Sequence, residues 1–367
     1  ALALALVMTL LLAACGSKTV VNDDGTKTEQ TERGVKVTQT AAKAVQTEKY
    51  ETADFSMTIP KGWTVTTGGT NIYHSIRVYD PAEPLNQMFV LLKADVLLHS
   101  QAGKEAWQQN YSMGNTQAAL FTKAAVLDNP STEGFFKIFS QYTAFASEVE
   151  PAYSGYAFPR FDNFAVTERY PSASPMKSSA LGDEQLRATF TDNGKEGEGL
   201  FAASVVDFGS FAISNGNVVG YQLQAVDGGY YMAYNIVAVT AAKDTFIEWE
   251  GVLTDCFKTL QYSDSFVSTT NQASNEKVAL AQQISQNFNA TMDGFMSSWE
   301  SRNRSQDIMS QKQSDATLGY ERVYDTETGE IYKATNGFTD VYDGKRYKAV
   351  TDDNMYAEPI SGYIEKQ

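Results

Sequence analysis

Apolar residues alternate with polar ones in some stretches of the chain and recur every three to four residues in others, which predicts strands and helices respectively. In the stretch "FSMTIPKGW", Phe55, Met57 and Ile59 alternate with polar residues and predict a half-buried strand that leads into a Pro-Lys-Gly turn. Residues 87–98 are almost continuously apolar and predict a more fully buried strand. Helical spacing prevails in residues 100–150.

Capping residues and apolar periodicity indicate where helices begin. One helix is predicted to follow Ser100, and a second to begin at Asn129-Pro130, because proline is well accommodated in the first turn of a helix. Residues 245–260 and 276–304 carry apolar residues at helical spacing. The first of these two ranges predicts a buried amphipathic helix, and the second predicts one long helix.

Short glycine-containing motifs interrupt residues 160–240 and predict hairpin turns between antiparallel strands, since such turns need residues at positive φ. The motifs are "DNG" at 192–194, "NG" at 215–216 and "DGG" at 227–229. Residues 320–363 contain further short strand signals separated by turns. The whole pattern predicts an α+β fold in which an antiparallel sheet packs with helices.

Residues 1–14 form an apolar segment that is shorter than the roughly 20 residues of a membrane-spanning helix. The segment predicts a signal peptide whose start is missing. Its end, Leu12-Ala13-Ala14-Cys15, resembles the lipobox of bacterial lipoproteins. The resemblance implies that Cys15 receives a lipid, becomes the mature N-terminus and anchors the chain to the extracytoplasmic face of the cell membrane. The alternative is an ordinary signal peptide with an incidental cysteine.

Two further resemblances concern the folded part of the chain. The strand in "FSMTIPKGW", a meander of strands and a final amphipathic helix resemble the PsbP/Mog1-like α/β/α sandwich over residues 50–265, with residues 100–150 as a helical insertion. That resemblance implies binding of protein partners or assistance in assembly, and it brings no shared catalytic residues. The stretch "LGYERVYDTETGEIY" resembles the C-terminal module of Gram-positive surface lipoproteins, which implies a lineage but no activity.

These observations predict four segments. Residues 1–14 are the signal peptide, and residues 15–48 contain the lipidated cysteine and a polar tether, whose composition cannot bury enough apolar area to fold alone. Residues 49–265 form the PsbP/Mog1-like domain. After a polar linker at 262–275, residues 276–367 form the long helix and a small β-hairpin module.

The net charge of −15 narrows the classes of partner. Nucleic-acid binding needs clustered Lys and Arg to neutralise phosphates, and this acidic chain has no such cluster, so nucleic acid is disfavoured. No catalytic group, metal site or cofactor is predicted. His74 is expected to be a satisfied half-buried strand residue, His99 a surface or capping residue, and Cys256 a small buried side chain. A carboxylate pair that hydrolyses glycans stays open, since acidic residues are plentiful.

The stretch "PAYSGYAFPRF" is the one local candidate for recognition. Aromatic side chains on a loop with Pro and Gly suit contact with a glycan or a peptide. A loop that folds back onto the core is the favoured alternative. The candidate ligand-binding residues are Tyr153, Tyr156, Phe158 and Phe161.

The leading functional hypothesis is a non-catalytic, lipid-anchored extracytoplasmic protein that binds an envelope protein partner or assists its assembly. An alternative is an extracytoplasmic protein that binds a small ligand or glycan, for which we expect a concave aromatic pocket. A less favoured alternative is a hydrolase that acts on the cell wall and needs paired carboxylates in a cleft.

Overall fold

The computed structural model describes residues 18–21, 26–31, 34–39, 45–171, 174–219, 222–273, 312, 315–316, 319–352, 355–356 and 360–364. The chain divides into two compact units, one of Ala41–Glu300 and one of Ala1–Thr40 with Ser301–Gln367. The apolar N-terminal segment, Cys15 and the predicted long helix at 276–304 lie outside the described residues.

The described residues combine strands and helices. The strands are β1 (Lys18–Val21), β2 (Thr26–Thr31), β3 (Gly34–Gln39), β4 (Thr47–Glu51), β5 (Phe55–Pro60), β6 (Thr64–Gly68), β7 (Ser75–Tyr79), β8 (Gln87–Leu98), β9 (Ala125–Val126), β10 (Asp162–Pro171), β11 (Glu184–Asp192), β12 (Lys195–Gly209), β13 (Ala212–Val219), β14 (Gln222–Asp227), β15 (Tyr230–Ala242), β16 (Gln261–Tyr262), β17 (Tyr320–Asp325), β18 (Ile331–Thr335), β19 (Tyr347–Ala349) and β20 (Ile360–Ile364). The α-helices are α1 (Gln101–Ser112), α2 (Ala119–Lys123), α3 (Thr132–Lys137), α4 (Phe139–Val149), α5 (Phe246–Lys258), α6 (Asp264–Ala273) and α7 (Phe338–Val341). The predicted α+β class with mostly antiparallel sheets is confirmed.

The larger unit is built around an eight-stranded sheet with the order β10-β11-β12-β15-β8-β7-β6. Neighbours along this path are antiparallel, and β9 adds a short parallel pairing at the end of β8. Phe89 and Leu91 of β8 belong to the core on one face, whereas Met88 and Val90 belong to the core on the other. Because side chains alternate along a strand, an apolar run such as β8 can supply both cores at once.

Helices α3 and α4 cover the first face of this sheet. Their phenylalanines interlock with rings from the strands, and the centroids of Phe136 and Phe201 lie 4.9 Å apart in an edge-on arrangement. The helix predicted from Asn129-Pro130 begins instead at Thr132, because Ser131 Oγ accepts the backbone N–H of Gly134 at 3.0 Å and caps the helix. The helix predicted after Ser100 is observed as α1.

The second face is covered by α5 and by a small sheet with the order β16-β5-β4. The alternation predicted in β5 is confirmed, since Phe55, Met57 and Ile59 are all buried in this second core. A buried ion pair also joins α5 to the central sheet, since Arg187 Nη1 of β11 lies 3.2 Å from Glu250 Oε2 of α5. The sheet therefore has a packed layer on each side.

The three glycine motifs that predict hairpin turns have different outcomes in the structure. Asn193 and Gly194 form the two-residue turn between β11 and β12, both at positive φ, as "DNG" predicts. The turn predicted at 215–216 is wrong, because Gly216 lies inside β13, where the register with β14 shifts between Ser214 and Val218. The hairpin predicted at "DGG" is also wrong, because β14 pairs with β13 while the chain goes on to the central sheet as β15.

Two stretches that were predicted to be irregular contain regular structure. The polar linker at 262–275 includes the end of β16 and all of α6, where Phe266 is 8% exposed and its ring stacks on that of Tyr262 at 4.7 Å. In the predicted tether, β1, β2 and β3 form an antiparallel sheet. Val35 and Val37 alternate with polar residues there, which is the local spacing of a strand.

The C-terminal strands of the smaller unit form a sheet with the order β19-β17-β18-β20. The "DTETGE" motif lies at the turn between β17 and β18, as predicted, and Asp325 Oδ1 accepts the backbone N–H of Glu327 at 2.9 Å. Arg346 donates to Asp325 Oδ2 at 2.7 Å, which ties this turn to the residues before β19.

Candidate functional site

The four aromatic residues that the sequence marks as ligand-binding candidates do not form an exposed surface. Tyr153, Tyr156 and Phe161 are buried, and Phe158 is partly buried. The rings of Tyr153 and Tyr156 each lie 4.8 Å from the Phe158 ring. The hydroxyls of Tyr156 and Ser75 are 2.8 Å apart. The loop thus folds back onto the core, as the favoured alternative predicts, because its rings find aromatic and hydroxyl partners there; the exposed rings that the recognition hypothesis needs are not observed.

Two of these residues nevertheless border concave parts of the surface. Phe158 lines a concavity of about 370 Å³ next to α4, together with Pro159 and Arg160. Tyr153 lines a smaller pocket of about 200 Å³ between α4 and the end of β8, which we call the tyrosine pocket. The residues of the tyrosine pocket that bear on its chemistry are Tyr73, Asp95, Val96, Tyr142, Glu150 and Tyr153. Of these six residues, the sequence singled out only Tyr153.

A signal for the other residues does exist in the sequence. Lys93 and Asp95 interrupt the apolar run of β8, and Lys93 is only 1% exposed. Charged residues are rarely buried unless they are paired. Here the Lys93 ammonium lies 3.1 Å from Asp95 Oδ2, and Asp95 borders the tyrosine pocket.

Burial keeps the His74 and Cys256 side chains in their neutral forms. His74 is more buried than the half-buried strand residue predicted: it lies just before β7, is 5% exposed, and its Nδ1 lies 3.3 Å from the Tyr262 hydroxyl. This burial lowers the pKa of His74 to about 4. The imidazole is therefore neutral at physiological pH. Cys256 is buried as predicted, and burial raises the pKa of its thiol to about 11, so the thiol stays protonated.

His99 lies in the capping region that the sequence predicts, just before Ser100, which caps α1, but its ring is largely buried and makes contacts that the sequence does not reveal. Its Nδ1 lies 2.8 Å from Asp227 Oδ2, its Nε2 lies 3.1 Å from Asp207 Oδ1, and its ring centroid is 4.0 Å from that of Tyr231. The tertiary structure explains these contacts. β8 ends beside the start of β15, and Asp207 near the end of β12 and Asp227 at the end of β14 both reach the His99 ring there. His99 therefore joins three strand ends at the base of the hairpin formed by β13 and β14.

An exposed aromatic surface lies next to this hairpin. Trp107 of α1 stacks on Phe121 of α2 at 4.3 Å, and Phe208 of β12 stacks on Tyr230 of β15 at 4.5 Å. Phe211 lies edge-on to Trp107 at 6.0 Å. Phe208 is 55% exposed and Phe211 is 38% exposed. We call these five residues the aromatic surface.

The aromatic surface is held by hydrogen bonds between α1 and the hairpin. Trp107 Nε1 donates to the backbone carbonyl of Gly228 at 3.0 Å, and Asn110 Nδ2 donates to that of Ser214 at 2.7 Å. A side chain at Gly103 would collide with the carbonyl of Asp227, so α1 approaches the hairpin as closely as backbone contact allows. The aromatic surface therefore lies on backbone that these contacts between α1 and the hairpin hold in place.

Two further features describe the site as a whole. Among the described residues, no three His, Cys, Asp or Glu side chains come together as a metal ion would require. In the same part of the chain no helix is both long and apolar enough to cross a membrane.

Comparison with protein-family models, with curated proteins and with solved structures finds no match to this chain in any of the three.

Proposed function

We propose that this chain is a non-catalytic, lipid-anchored extracytoplasmic protein that binds an envelope protein partner, or assists its assembly, through the aromatic surface. The observation that carries the proposal is the exposure of Phe208 near the end of β12 and of Phe211 just before β13, beside a hairpin that α1 and His99 hold in place. Clustered exposed aromatic rings are typical of protein-binding surfaces.

Rigid aromatic groups favour binding because little conformational entropy is lost when they are covered. The stacking of Phe208 on Tyr230 and of Trp107 on Phe121 already orders these rings in the free protein. Such residues often contribute most of the binding free energy at the centre of an interface. Phe208 and Phe211, the most exposed of the five, are therefore the residues we expect to contact the partner directly.

The charges around the aromatic surface indicate the chemistry of that partner. Asp207 and Asp227 flank the hairpin, and their side chains are partly exposed on either side of His99. The chain as a whole carries a net charge of −15. A partner that presents apolar side chains with Lys or Arg around them complements this surface, since opposite charges at the rim guide association.

The remaining parts of the proposal come from the sequence. The motif that ends at Cys15 supports a lipid anchor, which two acyl chains make stable. The PsbP/Mog1-like assignment is supported by the position of α5, which follows the last strand of the central sheet and packs on one of its faces. That family implies protein binding and brings no catalytic residues.

The proposal is tested by photo-crosslinking the full chain in its native membrane. A photoreactive phenylalanine analogue replaces Phe211, and in the control it replaces Val341 of the smaller unit, which is 61% exposed. We expect one envelope protein to be crosslinked from position 211 only. Binding of that protein, once purified, should weaken about tenfold in the Phe208→Ser variant and should also weaken with added salt.

Val341→Ser is the matched control, because it also removes an exposed apolar side chain. It should leave the affinity unchanged. Crosslinking of the same protein from both positions, or an unchanged affinity in Phe208→Ser, would contradict the proposed role of the aromatic surface.

A further inference from the structure

We infer that the tyrosine pocket binds a small organic cation, in which an ammonium group is attached to an apolar body. This site is separate from the aromatic surface, and the proposal does not depend on the protein partner. Helix α2 lies between the two, since Leu120 lines the tyrosine pocket and Phe121 belongs to the aromatic surface.

A bulge in β8 shapes the floor of the tyrosine pocket. Ala94 pairs with Ala233 and Leu97 pairs with Tyr231, so Asp95 and Val96 together face one residue of β15. Val96 has a φ of +59°. For a β-branched residue this conformation is an outlier, and bulges often redirect a side chain. Here the bulge places Asp95 at the pocket, where its Oδ1 accepts the backbone N–H of Val96 at 2.8 Å.

The hydrogen bonds of Asp95 leave its carboxylate able to accept more. Its Oδ2 accepts the Tyr73 hydroxyl at 3.0 Å and lies 3.1 Å from the Lys93 ammonium. An ionised carboxylate can accept about four hydrogen bonds. The Asp95 carboxylate makes three contacts here, with Val96, Tyr73 and Lys93. Lys93 is almost wholly buried, with its ammonium 5.5 Å from the centre of the Tyr234 ring, and it does not line the pocket.

The charged groups that line the tyrosine pocket are acidic. Glu150 follows α4 and contributes a second carboxylate, while its Oε1 accepts the backbone N–H of Ala152 at 3.0 Å. None of the described residues that line the pocket is basic. Lys93 offsets part of the Asp95 charge from behind the pocket wall, but no such cation pairs with Glu150 among the described lining residues, so the pocket repels an anion and attracts a cation.

The remaining walls suit the same class of ligand. Tyr73, Tyr142 and Tyr153 line the pocket, and aromatic rings attract cations through their π faces. Burial raises the pKa of Tyr142 and of Tyr153, so both phenols stay neutral, and the Tyr153 hydroxyl donates to the backbone carbonyl of Tyr73, which orders this wall of the pocket. Leu120 and Val149 are exposed at the rim and can cover an apolar body.

The size of the tyrosine pocket limits the ligand. A volume of about 200 Å³ is below the range that begins at about 300 Å³ for drug-sized ligands. The ligand class is therefore a compact amine, such as an arylalkylamine or an aliphatic amine, rather than a polymer or a nucleotide.

Isothermal titration calorimetry with three probes of similar shape tests this inference. The full chain, purified in detergent, is titrated with phenethylammonium, with phenethyl alcohol and with 3-phenylpropionate. We expect saturable binding of phenethylammonium that is at least about tenfold tighter than that of either other probe.

Variants locate the binding. Glu150→Gln keeps an acceptor for the Ala152 N–H but removes the charge, and it should weaken phenethylammonium binding about fivefold. Glu148→Gln is the matched control, since Glu148 lies in the last turn of α4, pairs with Lys123 and does not line the pocket; it should bind as the unaltered chain does. Val149→Trp should abolish binding by filling the rim, and unchanged thermal unfolding of that variant shows that its fold is kept.

Three outcomes would overturn the inference. The first is equal or tighter binding of the anionic or neutral probe, which would show that charge does not select the ligand. The second is unchanged binding of phenethylammonium in both Glu150→Gln and Val149→Trp, which would place the binding elsewhere. The third is the absence of saturable binding for all three probes.

Discussion

His74 lies among the rings of Phe55, Tyr262 and Phe266, in the core between the central sheet and α6. Burial lowers the pKa of His74 from 6.5 to about 4, and the nearby Asp54 opposes that shift only in part. The folded chain thus favours the neutral imidazole. As the pH falls from 6.5 towards 4, the unfolded chain takes up a proton that the folded chain does not, and the folded state loses stability.

This linkage gives a prediction for the His74→Phe variant. Above pH 6.5 the imidazole is neutral in both states and adds no pH dependence, whereas at about pH 5 its protonation in the unfolded state destabilises the fold by about 2 kcal/mol. Urea unfolding of the unaltered chain should therefore show a larger loss of stability between about pH 7 and about pH 5 than His74→Phe shows, by that amount. Equal losses in the two proteins would contradict the buried, neutral state of His74.

At the same scale, the sequence could identify unusual residues but not their partners. Lys93 and Asp95 stand out inside an apolar strand, and His99 is one of two histidines. Their roles depend on contacts with residues far away in the chain: His99 meets Asp207 and Asp227 only because β8, β12 and β14 end at one place. Local patterns contain no information about which strand ends will meet.

Among the elements, predictions succeeded where local chemistry decides the structure. The alternation in β5, the apolar run of β8 and the cap at Ser100 each depend on neighbouring residues, and each is confirmed. The linker at 262–275 was mispredicted because its polar average conceals Phe266, which stacks on Tyr262 and is buried by tertiary contacts. The tertiary packing of this one ring therefore determines the structure of the segment more than its mean composition does.

The "NG" motifs show the same limit, because identical residues serve a turn at 193–194 and a bulge at 215–216. Gly194 has a φ of +82°, and a Cβ there would meet no other atom within 4 Å. The Gly194→Ala variant should therefore lose about 1 kcal/mol of unfolding free energy purely through backbone conformation, as measured by urea denaturation.

Gly194→Asn is the control for this prediction, because Asn tolerates the left-handed conformation better than Ala does. It should cost less than Gly194→Ala. Equal costs for the two variants would mean that the positive φ at this turn is not what the glycine is needed for.

For the whole molecule, charge and anchoring have to be considered together. A chain with a net charge of −15 is repelled by anionic lipid headgroups. Electrostatic attraction to such headgroups therefore does not explain the proposed attachment, which calls for apolar insertion instead. The sequence before Cys15 offers a mechanism, since two acyl chains bind a bilayer stably where one binds it marginally.

Two cysteine variants should therefore behave differently in the native host. Cys15→Ala should abolish lipidation and release the protein from the membrane fraction, whereas Cys256→Ser, which alters only a buried thiol, should remain attached. The unaltered protein should resist extraction with about 1 M salt, because screening does not weaken apolar insertion, and should be released by detergent.

Salt extraction of the unaltered protein, or membrane attachment of Cys15→Ala that still needs detergent for release, would show that Cys15 is not the anchor. Thiol counting after unfolding provides an independent measurement: a chain acylated at Cys15 retains only the Cys256 thiol, so its count should be half that of a chain in which both cysteines are free.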